Sequence, residues 1–153
     1  MAIQAAMRLG FPVRAFGMTR ATESDESSDS MPEALSLRLA HLGDMVRYLG
    51  SRHIRLYGLH PRWVPGWAAQ EATAWSACLD EHQPLLDLVG AQARAQGLRL
   101  TIHPYSDVVL STPDEEQGLR SLGLLEAQAA LLDRLGCGRA ARIVVHMGGA
   151  YGD

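Results

Sequence analysis

The amino-acid sequence predicts an α/β protein with a parallel sheet, in the order β-α-β-α-β-α-β. Short apolar runs of strand length alternate with longer segments whose apolar residues recur every three or four positions. Strands joined through helices run parallel, because a helical crossover returns the chain to the same end of the sheet. At 153 residues, the chain has room for one domain with a single hydrophobic core.

The first half of the chain contains two strands, an acidic loop and one helix. Residues 7–17 form an apolar run with a proline, which favours a strand near a sheet edge. Residues 19–33, rich in Ser, Asp and Glu, are predicted to be a mobile acidic loop. Residues 34–51 show the spacing of an amphipathic helix, and residues 54–60 read as the second strand. The apolar positions of that helix are Leu35, Leu39, Leu42, Met45, Val46 and Leu49.

The second half repeats the alternation. A helix is predicted over residues 71–96 and stops at Gly97, and a strand follows over residues 98–103. A third helix is expected over residues 119–135, after a proline and three acidic residues suited to a helix start. Residues 142–146 are predicted to form the fourth strand. Four strands and three helices result.

The composition is that of a soluble globular chain. The net charge of −3 and the pI of about 6.0 give no overall attraction for nucleic acid, and all the positive charge is arginine. Cys78 and Cys137 lack metal-binding spacing, and no apolar run approaches the ~18 residues of a membrane span. Because the start also lacks a signal-peptide pattern, a cytoplasmic protein without a membrane partner is expected.

Three of the six histidines end predicted strands, namely His60, His103 and His146. The carboxyl ends of parallel strands form the active face of α/β folds, so these imidazoles are expected to converge. Converging neutral imidazoles suit a zinc, manganese or iron site, in which carboxylates are the usual further ligands.

The remaining histidines and the tryptophans support less specific interpretations. His41, His53 and His82 fall on helices or on a connection away from the active face, and are expected to be solvated or packed. Trp63 and its two neighbours Trp67 and Trp75 lie in and just after the loop that leaves the second strand. Such aromatic rings either stack on nucleic-acid bases or pack beneath the loop.

Three stretches resemble the UV-damage endonucleases. IRLYGLHPRWVP (54–65) is similar to the family's second strand, and RLTIHPYSDVVLSTP (99–113) is similar to its third-strand motif His-Pro-Gly-Gln followed by Val-Leu-Asn-Ser-Pro. VVHMGGAYGD (144–153) matches the family's His-x-Gly-Gly-x-Tyr-Gly-Asp almost residue for residue. The resemblance covers residues 7–153 and implies a TIM barrel related to xylose isomerase.

The resemblance also implies an activity. The family uses divalent metals, typically manganese, to cut damaged double-stranded DNA on the 5′ side of a lesion, and His103 and His146 would be metal ligands. His60 has no counterpart in the family, so its assignment as a ligand rests on its position alone. Tyr105, Ser106 and Asp107 replace the family's damage-probing residues, and together with Trp63 they are the predicted DNA contacts.

A TIM barrel takes about 250 residues and eight strands. With four strands, residues 1–153 are therefore expected to be the N-terminal half of such a barrel, an incomplete TIM barrel of four β/α units with an incomplete metal site. We expect this half to be inactive alone, because further Glu, Asp and His ligands would lie on strands five to eight. Its open edges predict a C-terminal half-barrel partner or self-association.

Two other functions fit the same pattern. A sugar isomerase or epimerase of the xylose-isomerase-like fold shares the barrel and a His/carboxylate metal site, and fold alone does not separate it from an endonuclease. A non-catalytic half-barrel that works as a structural module is the second alternative. Binding of ribose-type sugars or of lesion-containing duplex distinguishes the two enzymes.

Overall fold

The computed structural model of the protein describes residues 10–12 and 31–145, with side chains from Leu35 onward. Its strands are β1 (Gly10–Pro12), β2 (Leu56–Leu59), β3 (Arg99–Ile102) and β4 (Arg142–Ile143). Its helices are α1 (Met31–Ser51), α2 (Ala72–Glu81), α3 (Gln83–Ala95) and α4 (Glu115–Arg134). Short 3₁₀ helices cover Pro61–Trp63, Gly66–Ala69 and Gly138–Ala140.

The four strands form one sheet in the order β1-β2-β3-β4, and each neighbouring pair is parallel. The predicted α/β class with parallel strands is therefore confirmed. The strand order increases along the sheet without a reversal, unlike the order in doubly wound folds, which reverses at a switch point. With this order, the right-handed crossovers that parallel strands adopt place successive helices on one face of the sheet.

The hydrophobic core lies between that face and the helices. Tyr57 and Leu59 of β2 are buried, as are Leu100 and Ile102 of β3, whereas the alternate strand residues are half-buried. This alternation follows from the two-residue period of a strand. The helices contribute fully buried leucines and a valine to the same cluster, among them Leu39, Val46, Leu86 and Leu131. Among the described helices, none is long and apolar enough to cross a bilayer.

The long helix predicted over residues 71–96 is wrong in one respect, since it is two helices that meet at His82. Pro84 explains the break, because proline has no N–H to donate and is tolerated only in the first turn of a helix. The backbone carbonyl oxygen of His82 accepts from the N–H groups of Leu85 and Leu86 and starts the second helix. The end of α3 agrees with the prediction, since Gly97 takes the left-handed conformation, with φ of 62°, that ends many helices.

Other element boundaries also differ from the predictions. The third predicted helix begins at Glu115 rather than at residue 119, because the Asp114 carboxylate accepts hydrogen bonds from the N–H groups of Glu116 and Gln117 at 3.0 and 3.2 Å. Of the acidic loop predicted over residues 19–33, the last three residues belong to α1. Residues 19–30 lie outside the described part of the chain. The strands β2, β3 and β4 are shorter than their predicted apolar runs.

Candidate functional site

The carboxyl ends of β2 and β3 lie side by side, and a histidine follows each of them. The register pairs Leu59 with Ile102, so His60 and His103 follow at neighbouring positions on strands that are ~4.8 Å apart. His103 is exposed and His60 is half-buried. The structure thus places two of the three predicted histidines at one edge, and His146 lies outside the described residues.

The imidazole of His60 has a defined hydrogen-bonding role. Its Nδ1 accepts from the backbone N–H of Arg62 at 3.2 Å and thereby caps the 3₁₀ helix Pro61–Trp63. A neutral imidazole that accepts at Nδ1 carries its proton on Nε2, which then has no lone pair for a metal. The arrangement therefore favours His60 as a hydrogen-bond donor over its predicted role as a metal ligand.

Tyr105 connects the loop after β3 to the loop after β2. Its ring packs edge-on against the His60 ring, with centroids 5.8 Å apart and an interplanar angle of 79°. Its hydroxyl accepts a hydrogen bond from Nε of Arg62 at 3.1 Å. The predicted contact residue Tyr105 is thus held by two residues of the neighbouring loop.

A second arginine joins this group from α1. Nη1 of Arg38 donates to the carbonyl oxygen of Arg62 at 2.6 Å. Burial first, and then the positive charge of Arg62, lower the pKa of the Arg38 guanidinium below its ordinary value. Two cations therefore stand close together at this edge. We define Arg38, Arg62, His60 and Tyr105 as the edge cluster.

The other predicted DNA contacts differ in accessibility. Ser106 and Asp107 are exposed at the start of the connection from β3 to α4. Trp63 is only 5% exposed and belongs to the hydrophobic core. Its burial favours packing beneath the loop over stacking on bases.

The two other tryptophans anchor the same loop from below. Trp67, in the 3₁₀ helix Gly66–Ala69, packs edge-on against Trp75 of α2, with centroids 6.2 Å apart. Nε1 of Trp75 donates to the carbonyl oxygen of Ala127 in α4 at 3.0 Å. Both rings therefore support the loop that carries the edge cluster.

The described residues do not by themselves fit a metal centre. Within residues 31–145, no three His, Cys, Asp or Glu side chains come together in a way that could hold an ion. Of the two predicted ligands described at this edge, His60 uses its Nδ1 lone pair to accept from the N–H of Arg62, which leaves His103 as the candidate ligand. Imidazole alone is also a poor match for hard manganese, which prefers carboxylate, carbonyl and water oxygens.

The histidines predicted to be solvated or packed are placed accordingly. His53 is exposed, in a left-handed conformation with φ of 55°, and His41 is half-buried. His82 is buried, with Nε2 2.9 Å from the hydroxyl of Ser36 and Nδ1 2.8 Å from the carbonyl oxygen of Cys78. Since a carbonyl only accepts, Nδ1 carries the proton and His82 ties α2 to α1.

The parallel sheet and the polar edge cluster define an α/β protein whose site lies at the carboxyl ends of its strands. The model of the family described as UV-endonuclease UvdE matches residues 4–153. The chain belongs to this family.

Curated relatives carry the same family name. A protein of Acanthamoeba polyphaga mimivirus that bears the name of a UV-damage endonuclease is 28% identical over 134 residues, which are 86% of this chain and 41% of that protein. The UV DNA damage endonuclease of Bacillus velezensis is 24% identical over 128 residues, 84% of this chain and 39% of the relative. The chain therefore spans about two fifths of these two relatives.

A solved structure shares the fold. The crystal structure of SacUVDE superposes with a TM-score of 0.80 at 23% identity, and the match covers 95% of this chain and 50% of SacUVDE. At this identity the likeness concerns the fold alone. The same arrangement of strands and helices therefore occupies half of a longer protein.

Sequence reasoning missed part of the edge cluster. Tyr105 and His60 were both predicted to lie at the site, but the two arginines were not. Arg38 is 24 residues from Arg62, and Arg62 is 43 residues from Tyr105. The available signal was the position of Arg62, two residues beyond a strand end in a predicted active-face loop.

Proposed function

We propose that the chain is the N-terminal half of a UV-damage endonuclease, a TIM-barrel protein that acts in the repair of damaged double-stranded DNA. The observation that carries this proposal is the family match over residues 4–153. The unreversed strand order and the coverage of half of SacUVDE support a half-barrel of four β/α units. The same match favours the endonuclease over the sugar isomerase or epimerase. A cytoplasmic location stays a prediction.

We further propose that His103 and His146 supply two ligands of a divalent-metal site, with manganese as the metal. A divalent metal, when bound, polarises the phosphodiester and lowers the pKa of a bound water. His103 is exposed at the carboxyl edge, as a ligand shared with other segments needs to be. The remaining ligands, carboxylates above all, would come from a further half of the barrel.

Residues 1–153 alone are expected not to nick UV-irradiated plasmid in the presence of manganese. The reason is that two imidazoles without carboxylates neither hold the metal firmly nor set its geometry. Conversion of supercoiled plasmid to the relaxed circle, followed on agarose gels, measures the activity.

The control for this experiment is a histidine away from the site. Nicking by the wild-type chain that His146→Ala abolishes and His53→Ala leaves intact would show that the half-barrel is active by itself. His53 suits the comparison because it is exposed and precedes β2, at the opposite end of the strand from His60.

We also propose that a C-terminal half-barrel, or a second copy of this chain, completes the sheet at β4. In the described residues β4 pairs with β3 alone, and the following Val144 and Val145 are 43% and 36% exposed. An edge strand, paired on one side and flanked by exposed apolar residues, is a template for further strands. The alternative of a non-catalytic structural module corresponds to the same completed barrel with no metal site.

The purified chain is expected to self-associate in sedimentation experiments, because a second copy is then the available source of strands. The sedimentation coefficient should rise with protein concentration. A compact monomer at every concentration would contradict completion by a second copy. Adding a charge to the edge by Val144→Lys should reduce the association, and Leu119→Lys on α4 is the matched control.

A further inference from the structure

We propose that Arg38 and Arg62 form a binding site for a backbone phosphate of duplex DNA at the carboxyl edge of the sheet. The identity of the ligand rests on the proposed function. The site itself rests on the contacts and charges of the edge cluster, which belongs to this half of the fold and needs no metal.

The two arginines are held in place by contacts from three separate elements. Arg38 extends from α1 and donates from Nη1 to the carbonyl oxygen of Arg62 at 2.6 Å. Arg62 follows β2 and donates from Nε to the Tyr105 hydroxyl, which follows β3, at 3.1 Å. A guanidinium fixed at one nitrogen loses less conformational entropy when it binds a ligand through the others.

The charge of the pair is not balanced by the described residues. The ion pairs described for residues 31–145 engage Arg47, Arg120 and Arg134, and none of them includes Arg38 or Arg62. Each arginine instead interacts with the other, and that repulsion contributes to the lowered pKa of Arg38. An anion placed between the two guanidinium groups would attract both of them and offset their mutual repulsion.

The unused donors match the shape of a phosphate. A guanidinium carries five N–H donors in a planar fork. The described hydrogen bonds use Nη1 of Arg38 and Nε of Arg62, and neither Nη group of Arg62 bonds to a described residue. Two parallel N–H groups bind two phosphate oxygens, which is the pairing that makes arginine a frequent phosphate ligand.

The surroundings of Arg62 are open to a strand of nucleic acid. Arg62 is exposed, and the Tyr105 ring beside it is 42% exposed. The Tyr105 hydroxyl accepts from Arg62 and keeps its own O–H to donate to a phosphate oxygen. A charged fork next to an accessible ring is the combination found in grooves that follow a nucleic-acid backbone.

The test is the salt dependence of binding to an undamaged duplex, measured by fluorescence anisotropy with the 1–153 chain. One phosphate contact contributes about 0.9 to the slope of log K against log salt concentration. Arg62→Gln is expected to reduce that slope by about 0.9, which corresponds to about eightfold weaker binding at 0.1 M salt. Tyr105→Phe keeps the charge, so it should weaken binding about twofold without changing the slope.

Arg139→Gln is the matched control, since it removes the same charge from an exposed residue. Arg139 lies just before β4, at the amino ends of the strands, whereas the edge cluster lies at their carboxyl ends. The control should leave the slope unchanged. Equal slopes for Arg62→Gln and Arg139→Gln, or no binding of duplex by a folded wild-type chain, would overturn the phosphate site. Far-UV circular dichroism verifies folding.

Two further measurements are needed. The first distinguishes DNA phosphate from the free phosphate ion as the ligand, and the second separates the phosphate site from the proposed endonuclease function. Titration with inorganic phosphate, followed at the Arg62 Nε–H resonance by NMR, is expected to need far higher concentrations than DNA phosphate does. Tight binding of the free ion together with an unchanged duplex slope would overturn the assignment to DNA. A lack of preference for UV-damaged duplex, with the slope change still present, would count against the proposed function and leave the phosphate site standing.

Discussion

Gly90→Ala is expected to lower the free energy of unfolding by about 3 kcal/mol, within the range of overpacked cores. Gly90 is buried in α3, where the end of α4 crosses close to it. A methyl group on Gly90 would overlap the carbonyl oxygen of Leu135 and would also meet Nη1 of Arg94 at 3.2 Å. The carbonyl is main chain, so α3 and α4 would have to move apart.

The measurement is equilibrium unfolding in urea, with Gly118→Ala as the control. Gly118 also lies within a helix, but a methyl group there meets its nearest neighbour, Thr112, at an ordinary 3.6 Å. The control should therefore raise stability by up to about 1 kcal/mol, the difference in helix propensity between alanine and glycine. Equal effects of the two substitutions would refute the close approach of α3 to α4.

Gln128→Leu is expected to raise the free energy of unfolding by about 2 kcal/mol. Gln128 of α4 is 0% exposed, and neither its Oε1 nor its Nε2 has a hydrogen-bond partner among the described residues. A buried polar group without a partner costs about 1–3 kcal/mol, and leucine keeps much of the volume without that penalty.

Gln117→Leu is the matched control on the same helix. The Gln117 amide is partnered, since its Oε1 accepts from the Thr112 hydroxyl at 2.9 Å. Its Nε2 also donates to the carbonyl oxygen of Asp107 at 3.5 Å, so the control should be destabilising by about 1–2 kcal/mol, the net value of one short and one long hydrogen bond. A loss of stability in Gln128→Leu, measured by the same urea titration, would mean that the buried amide has a partner that stabilises the fold.

The fold class could be predicted because the strands and helices carry their own periodic signals. Alternating Tyr57 and Leu59 in β2, and the three- and four-residue spacing in α1, arise from local geometry that each segment shows by itself. The break at His82 is hidden from the periodic signal, because the apolar spacing continues through it, and Pro84 is the residue that marks the start of the second helix. The strand ends were less predictable, since pairing partners decide them.

The site was only partly predictable for a related reason. His60 and His103 were found because position at a strand end is a property of the linear pattern. The hydrogen bond from Arg62 to Nδ1 of His60, which changes what His60 can do, depends on the path of the loop. The approach of Arg38 depends on how α1 packs against the sheet. Contacts between distant segments leave no mark on a single sequence.

The packing beneath the loop after β2 sets the conformational entropy that this loop would lose on binding the proposed phosphate. Trp67 packs on Trp75, and Trp75 is hydrogen-bonded to α4, so a helix more than fifty residues away restrains the segment that carries Arg62. A loop that is ordered before its ligand arrives loses little freedom on association. The edge cluster is therefore preorganised, and the affinity of each contact would not be reduced by the cost of ordering the loop.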